Sequence, residues 1–350
     1  MNESFANQNT ESHPQITVRG LRRSFRSVKK KEGLAGTLGL LFKPEYQVHE
    51  ALKGVSFEIA AGEFVGLIGA NGAGKTTLLK ILSGLIPPTS GEATVLGLNP
   101  FSRTLDFRKR IALVLGQKAQ LWWDLPAVDA FDLLRSIYEI PVPLYKDRLG
   151  NLSELLDVSR LLNTQIRRLS LGERMKMELI GALLHWPKII FLDEPTIGLD
   201  VLASKRLRRF LKEFNDREKA TIILTSHNMD DIEELCPRVL IMQTGQLLHD
   251  GSPKGLTRNL DSKLRVQFVE LPSVEDLLRT TGLGPAKITM PAKDAEEDSD
   301  RNSAVFSAPH DRLVSILQAL MTSYRVSQMG VEETSLEDVV QSIYEAEKAQ

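Results

Sequence analysis

The hydrophobic pattern divides most of the chain into two kinds of segment. Short apolar runs such as Phe64–Ile68, Ile189–Leu192 and Thr221–Thr225 predict strands that are buried on both faces. Between such runs, apolar residues recur every three to four positions, which predicts helices over residues 171–184 and 203–217. Strands that alternate with helices predict an α/β fold with a mainly parallel central sheet.

Other segments have the pattern of antiparallel strands. Ile16–Leu21 predicts a short strand, and Val55–Ile59 alternates apolar and polar residues as a half-buried strand does. Residues 239–242 and 246–249 flank the turn pair Thr244-Gly245 and predict a hairpin. We expect an antiparallel β portion built from the first strands and this last hairpin.

The two ends of the chain differ in composition from its middle. Residues 1–14 are polar and are expected to form a disordered tail. Beyond residue 256 the pattern becomes that of a small β-α-β-β-α-β unit without a chemical motif. We therefore expect the chemistry in a domain of residues 15–256. For residues 257–350, a packing or dimer-stabilising accessory domain is favoured over a ligand-sensing one.

Charge and cysteine content exclude several classes of protein. Lys and Arg number 44 against 45 Asp and Glu, for a net charge of −1, which argues against a protein that coats nucleic acid. No apolar run has the length of about 18 residues that a membrane-spanning helix needs, and no secretory signal is seen. We expect a chain kept in the cytosol, with any membrane role peripheral. The single Cys236 is expected to be a core residue.

A glycine-rich segment follows the buried-type strand at 64–68. It reads GANGAGKT over residues 69–76 and matches the phosphate-loop pattern G-x-x-x-x-G-K-[ST]. Its glycines let successive backbone N–H groups turn toward phosphate oxygens. Lys75 is expected to reach the β and γ phosphates, and the Thr76 hydroxyl to bind Mg²⁺.

Polar residues at three further strand ends complete a candidate site. The strand in KIIFLDE ends in Asp193, a candidate Mg²⁺ ligand, and Glu194 can hold the attacking water as general base. His227 follows the strand at 221–225 and can hydrogen-bond the γ phosphate, although a lone His is more often structural. Gln117 follows another strand, and its amide can contact Mg²⁺ or the water.

A capping signal opens the helix at 171. Ser170 and Glu173 form the S-x-x-E pattern of a capping box, which is a structural role. A helix N-terminus is also an anion site, so cap and function can both be present.

In this order, GANGAGKT, a Gln after a strand, LSLGE, IIFLDEPTIGLD and TSH resemble the ATPase subunit of an ATP-binding cassette (ABC) transporter over about residues 15–256. The resemblance implies a P-loop NTPase with a RecA-like core, an antiparallel β subdomain and a helical subdomain. It also implies a head-to-tail pair of ATPase subunits, identical or different, with ATP and Mg²⁺ between them. It assigns nucleotide contacts to Gly69, Asn71, Gly72, Ala73, Gly74, Lys75, Thr76, Thr77, Ser170, Gly172, Glu173 and Asp200. It assigns Mg²⁺ to Thr76, Gln117 and Asp193, and catalysis to Glu194, His227 and Gln117.

Members of the family stack an aromatic residue on adenine. Phe25, in LRRSFRS, fits this role best and Tyr46 comes second. The intervening stretch from Ser27 to Glu45 is longer than in typical members. Glu173 is a departure, since Gln is commoner there in the branch discussed next. Glu preserves the helix cap but adds a negative charge near the bound phosphates.

Two sequence segments indicate a branch of the ABC ATPase family and its partners. GQKAQLWWDLP (116–126) and HEALKGVSFEI (49–59) resemble exporter ATPases of the sodium-export and daunorubicin-resistance type. The resemblance implies membrane permease subunits as partners, no nucleic acid, and a peripheral place at the cytoplasmic face of the inner membrane. An importer ATPase, or a soluble ABC ATPase acting on nucleic acid or the ribosome, are the alternatives.

Two segments have open interpretations. Trp122-Trp123 are expected either to line a groove for a membrane subunit or to pack in the core. Residues 29–46 combine Lys29–Lys31 with an apolar stretch, and a surface loop is favoured over a lipid- or permease-contacting segment.

Overall fold

The computed structural model describes residues 14–28, 46–116, 120–253, 255, 262–291, 302–332 and 336–340. The expected tail, the segment of Lys29–Lys31 and residue Gln117 lie outside this part of the chain. The chain divides into two compact units, Met1–Gly251 and Ser252–Gln350, whereas the sequence placed the boundary after residue 256. The division falls where the last strand of the first unit ends.

The described residues of the first unit form two sheets. The strands are β1 (Ile16–Val28), β2 (Tyr46–Ile59), β3 (Phe64–Gly69), β4 (Ser90–Val95), β5 (Ile111–Leu115), β6 (Ile189–Asp193), β7 (Thr221–Thr225), β8 (Arg238–Gln243) and β9 (Gln246–Gly251). In the described part of the chain, one sheet has the order β2-β1-β4 and is antiparallel. The other has the order β5-β6-β7-β3-β8-β9 and is parallel except for the β8–β9 pair.

Helices connect and cover the strands of this unit. They are α1 (Lys75–Leu82), α2 (Leu105–Arg110), α3 (Ala127–Ile137), α4 (Val142–Leu155), α5 (Leu171–Leu183), α6 (Val201–Glu218) and α7 (Met229–Leu235). Residues of both sheets and of α1 form one buried apolar cluster, in which Leu52, Leu67 and Leu79 have no exposed surface. The phosphate-loop segment therefore lies between two sheets that share a core. The mixed α/β P-loop fold expected from the sequence is confirmed.

The expected make-up of the antiparallel portion is wrong in one respect. The last hairpin extends the parallel sheet, because α7 carries the chain back so that β8 pairs in parallel with β3 and β9 then pairs with β8. The third antiparallel strand is β4. Its sequence SGEATV is half polar, so its hydrophobic pattern predicts a strand only weakly.

The first two strands are longer than expected. β1 continues past Leu21 to Val28, and β2 begins at Tyr46 rather than at Val55. The added part of β1 carries Arg and Ser side chains, so the apolar alternation stops although the backbone pairing continues. Cys236 is buried at the C-terminal end of α7, as expected.

The second unit has the β-α-β-β-α-β pattern that the sequence predicts. Its elements are β10 (Ser262–Phe268), α8 (Val274–Thr281), β11 (Ile288–Thr289), β12 (Ser303–Ala308), α9 (His310–Ser323) and β13 (Val326–Glu332). The sheet order is β11-β12-β10-β13, and the described pairs are antiparallel. This unit has its own apolar core, which includes Val266, Leu277 and Phe306.

Candidate ATP-hydrolysing site

The phosphate loop joins β3 to α1. Gly74 has a φ of +104°, and a Cβ there would lie 2.5 Å from the carbonyl oxygen of Ala51. This position of the loop therefore requires glycine. Gly69 is equally confined, because its Cβ would lie 2.6 Å from the carbonyl oxygen of Met242. Close approach to β2 and β8 thus fixes the path of the loop. Backbone N–H groups that begin a helix after such a loop favour phosphate.

Lys75 is the first residue of α1 and is 7% exposed. Its Nζ donates to the carbonyl oxygens of Gly69 (2.5 Å) and Ala70 (3.3 Å), so the ammonium group lies over the loop. Burial lowers the pKa of Lys75, and the charges of Glu194 and Asp193 oppose this shift. The ammonium group therefore lies in the field of the two carboxylates expected to take part in the chemistry.

Asp193 ends β6 and is held from two sides. The Thr76 hydroxyl donates to Asp193 Oδ2 at 2.8 Å, and the Thr225 hydroxyl donates to Asp193 Oδ1 at 2.7 Å. Asp193 and Thr225 are paired in the parallel register of β6 and β7. The sequence predicted the place of Asp193 but not the role of Thr225, whose hydroxyl position depends on strand register.

Glu194 follows at the same edge of the sheet in a left-handed conformation, with a φ of +57°. Its N–H is shared between the carbonyl oxygen (3.0 Å) and the hydroxyl (3.1 Å) of Thr225. Its Oε1 lies 2.7 Å from Nε2 of His227. The structure therefore brings Thr76, Asp193, Glu194 and His227 together, as the common carboxyl edge of parallel strands predicts.

Open space lies beside Glu194 and His227. A cavity of about 550 Å³ is lined by Glu194, His227, Leu199 and Asn228, among others. Gly116 donates its N–H to the Asp193 carbonyl oxygen at 2.8 Å, so the chain passes beside Asp193 just before Gln117. The expected role of Gln117 itself lies outside the described residues.

The helix α5 begins with the expected capping box. Glu173 N donates to Ser170 Oγ (3.3 Å), while Ser170 N and Oγ both donate to Glu173 Oε2 (2.8 and 2.7 Å). These hydrogen bonds lower the pKa of Glu173, so its carboxylate is charged at neutral pH. A Cβ on Gly172 would lie 2.8 Å from the carbonyl oxygen of Gly198, so this helix start packs closely on the segment before Asp200.

Asp200 is the N-cap of α6. Its Oδ1 accepts the N–H of Ala203 at 2.8 Å, and this hydrogen bond is the main cause of its lowered pKa. The structure thus gives Asp200 a local capping role, and its expected nucleotide contact stays a prediction.

The two aromatic candidates for adenine lie on opposite faces of the antiparallel sheet. Phe25 is opposite His49 and Tyr46 is opposite Val28, in an unbroken register between them. Positions 25 and 28 are three apart on one strand, and side chains alternate between faces, so the two rings point away from each other. The Arg23 guanidinium lies 4.6 Å from the centre of the Phe25 ring.

Comparison with known proteins identifies the family. A family profile described as "ABC transporter" matches residues 52–197. The chain is 32% identical to the ABC transporter ATP-binding protein NatA of Bacillus subtilis over 215 residues, which are 61% of this chain and 87% of NatA. The chain belongs to the ATP-binding proteins of ABC transporters. It is therefore an ATPase subunit of a transporter, and it binds ATP.

Further relatives agree with this assignment. The ABC ATPase is 27% identical to the linearmycin resistance ATP-binding protein LnrL of Bacillus subtilis, over 84% of this chain and 94% of LnrL. A match of this length extends into the second unit. A solved structure of the ATP-binding subunit of an ABC transporter aligns with a TM-score of 0.59 and 25% identity, covering 70% of this chain and 92% of the other.

The described part of this ABC ATPase offers no helix with the length and apolar character that crossing a membrane requires. Trp122 and Trp123 are 45% and 49% exposed, so the core interpretation of this pair is wrong. The Arg174 guanidinium, from the helix that begins at the capping box, lies 4.9 Å from the centre of the Trp123 ring.

Proposed function

We propose that this ABC ATPase hydrolyses Mg²⁺-ATP at the carboxyl edge of its parallel sheet and so drives an export permease. The observation that carries the proposal is the meeting of Thr76, Asp193, Glu194 and His227 beside Lys75. Each of these side chains has a function that hydrolysis of a triphosphate needs, and each is held by hydrogen bonds or burial.

The donor set fits Mg²⁺. The Thr76 hydroxyl and the Asp193 carboxylate lie within hydrogen-bond distance of each other, and hydroxyl and carboxylate oxygens are ligands that Mg²⁺ accepts. These two residues, with Gln117 as the sequence-based third candidate, would hold the ion. When bound, Mg²⁺ supplies positive charge to the β- and γ-phosphate oxygens.

Glu194 is placed to act as the general base. In the proposed reaction a water oxygen bonds to the γ phosphorus, the bond from the γ phosphorus to the bridging oxygen breaks, and the water proton passes to Glu194. The products are ADP and phosphate. His227, 2.7 Å from Glu194, orients the carboxylate and can donate to the γ phosphate. Lys75 and the loop N–H groups hold the β and γ phosphates.

A second ATPase subunit completes the site. The phosphate loop neutralises one side of the triphosphate, and the capped helix start at Ser170–Glu173 offers N–H groups and partial positive charge to another. We propose that this helix start serves the nucleotide on a facing subunit, with Gly172 and Asp200 near it, and that loss of the γ phosphate opens the pair. In a homodimer, Ser170→Arg is expected to abolish turnover although the phosphate loop is intact.

Steady-state ATPase assays of purified variants test the proposal. Lys75→Ala is expected to lose ATP binding or hydrolysis, and Glu194→Gln to bind ATP, hydrolyse it at least about 100-fold more slowly and accumulate a closed dimer. Glu213→Gln removes an exposed carboxylate on α6 and is the matched control, with unchanged turnover. Near-normal turnover by Glu194→Gln would show that Glu194 is not the base.

The direction of transport and the partners are proposals of their own. The likeness to NatA and to LnrL supports export, with permease subunits at the cytoplasmic face of the membrane as partners. The half-exposed Trp122 and Trp123 are candidates for the permease contact. Co-purification with the membrane subunits, followed by reconstitution in vesicles with ATP on the side of this chain, gives the direction. Movement of the compound toward the ATP side would support an importer instead.

A further inference from the structure

Asp231 is a fully buried carboxylate in the first turn of α7, and it joins three separate segments of the first unit. Its Oδ1 accepts from Nη1 of Arg208 at 2.5 Å. Its Oδ2 accepts from the hydroxyl of Thr196 at 2.7 Å and from the hydroxyl of Ser226 at 2.9 Å. Both carboxylate oxygens are therefore used, and by side chains far apart in the sequence.

Each partner of Asp231 belongs to a segment that carries a proposed functional residue. Thr196 comes two residues after Glu194, and Ser226 comes directly before His227. Arg208 lies on α6, the helix that Asp200 caps. A single carboxylate thus fixes the chain on the C-terminal side of the general base and on the N-terminal side of its histidine partner.

The general base needs such support. Glu194 is a non-glycine residue at a φ of +57°, a conformation that costs roughly 1 kcal/mol and persists when its surroundings hold it. Its contact with His227 requires two loops to keep their relative position. Thr225 fixes the N–H of Glu194 from one side, and the hydrogen bond of Thr196 to Asp231 fixes the chain on the other.

The charge balance supports a fixed arrangement. Asp231 has no exposed surface and Arg208 is 7% exposed, and a buried ion pair is stable when further hydrogen bonds satisfy both partners. Here the hydroxyls of Thr196 and Ser226 complete the hydrogen bonds of Asp231, and Arg208 forms a second ion pair with Glu234, with 2.7 Å between Nε and Oε2. Directional bonds of this kind resist small displacements of the segments they join.

We propose that Asp231 is a positioning residue for ATP hydrolysis, which through Thr196 and Ser226 holds Glu194 and His227 in their reactive orientation. This inference rests on the proposed roles of Glu194 and His227. It assigns to Asp231 no contact with the nucleotide.

The sharpest test removes one hydroxyl and keeps its shape. Thr196→Val is expected to lower kcat for ATP about tenfold and to leave KM within about twofold, because the phosphate loop is untouched while the base is misplaced. Thr196→Ser restores the hydroxyl and is expected to restore kcat. Asp231→Asn, which keeps the size of the side chain, is expected to lower kcat at least as much.

A matched control separates positioning from general loss of stability. Thr221→Val removes the hydroxyl of a buried threonine at the start of β7, the end of that strand far from His227, where the hydroxyl accepts the N–H of Gly62 at 2.9 Å. This variant is expected to lose stability but to keep kcat at a temperature well below its melting point. Thr196→Val and Thr221→Val therefore differ in turnover, not in fold.

The outcomes are distinct. If Thr196→Val keeps the kcat of the parent protein, or if its loss is not restored in Thr196→Ser, the positioning role is wrong even when Asp231→Asn fails to fold. Glu194→Gln is measured in the same assay. If that variant keeps near-normal turnover, the proposed base assignment fails instead.

Discussion

At the scale of single residues, the cross-strand register separates the two candidates for the adenine contact. A Cβ on Gly74 of the phosphate loop would touch the carbonyl oxygen of Ala51, which places the loop beside that part of β2. His49, opposite Phe25, is about 7 Å from Ala51 along the strand, while Tyr46 is about 17 Å away. Phe25 is therefore the nearer ring, and it lies on the other face of the sheet from Tyr46.

We predict that Phe25→Ala raises the KM for ATP by about five- to tenfold, because stacking on a base contributes roughly 1 kcal/mol or more. Tyr46→Ala, the matched control, is expected to leave KM unchanged, and Phe25→Trp to restore it. Steady-state kinetics with ATP measure both values. An effect of Tyr46→Ala larger than that of Phe25→Ala would reverse the assignment.

A functional residue can be predicted from the sequence when the pattern that identifies it lies close to it along the chain. The phosphate loop, Asp193 and His227 each follow an apolar strand, so parallel strands alone bring them to one edge. Asp231 is one of four acids in the sequence MDDIEEL, and it is buried while the other three, Asp230, Glu233 and Glu234, are exposed. Its position four residues before Leu235 on the apolar stripe of α7 is a signal that could have identified it.

At the scale of elements, Glu178 joins the helix that begins at Ser170 to the segment that follows Gln117. It is 7% exposed, and its Oε1 accepts the N–H groups of Gln120 (2.9 Å) and Leu121 (3.1 Å). Burial raises the pKa of Glu178, and the two backbone hydrogen bonds oppose the shift. One carboxylate thus anchors a loop beside the site to α5.

We predict a pH-dependent stability for this contact. A folded-state pKa raised above the unfolded value gives a contribution that is present below the unfolded pKa and is lost as the pH rises through the folded pKa. Glu178→Gln keeps an oxygen acceptor and has no charge to desolvate. Its stability relative to the parent protein is therefore expected to increase as the pH rises above the unfolded-state pKa of glutamate, about 4.3. Urea unfolding at several pH values measures the difference.

Glu178→Leu is the control for the hydrogen bonds. It leaves two backbone N–H groups without their acceptor and is expected to cost about 2 kcal/mol or more at every pH. A Glu178→Gln variant whose stability relative to the parent falls with rising pH would contradict the raised pKa.

The hydrophobic pattern alone does not predict the lengths and pairing of all strands. The predicted limits of β7, Thr221–Thr225, agree with the structure because its apolar run fills the whole strand. In β1 and β2 the pairing continues through charged residues, where hydrogen bonds between the strands, not burial, define the element. The place of the last hairpin depends on the β8–β3 pairing, a contact between residues far apart in sequence.

At the scale of the whole molecule, the two units each have a complete apolar core. The core of Met1–Gly251 includes Phe57, Leu79 and Phe191, and that of Ser252–Gln350 includes Leu264 and Phe306. Units with separate cores can unfold separately, and a ligand stabilises the unit that binds it. The proposed nucleotide residues all belong to the first unit.

We therefore predict two transitions in calorimetry of the full chain. Addition of Mg²⁺-ATP to the Glu194→Gln variant, which is expected to bind without turnover, should stabilise one transition by about 2.7 kcal/mol at a nucleotide concentration 100 times Kd. The other transition should stay in place. A chain ended after Gly251 should show the nucleotide-sensitive transition, because its core and its site are intact. A single transition in the full chain that shifts as a whole with nucleotide would mean that the two units fold as one, and that residues 252–350 contribute to the stability of the ATPase itself.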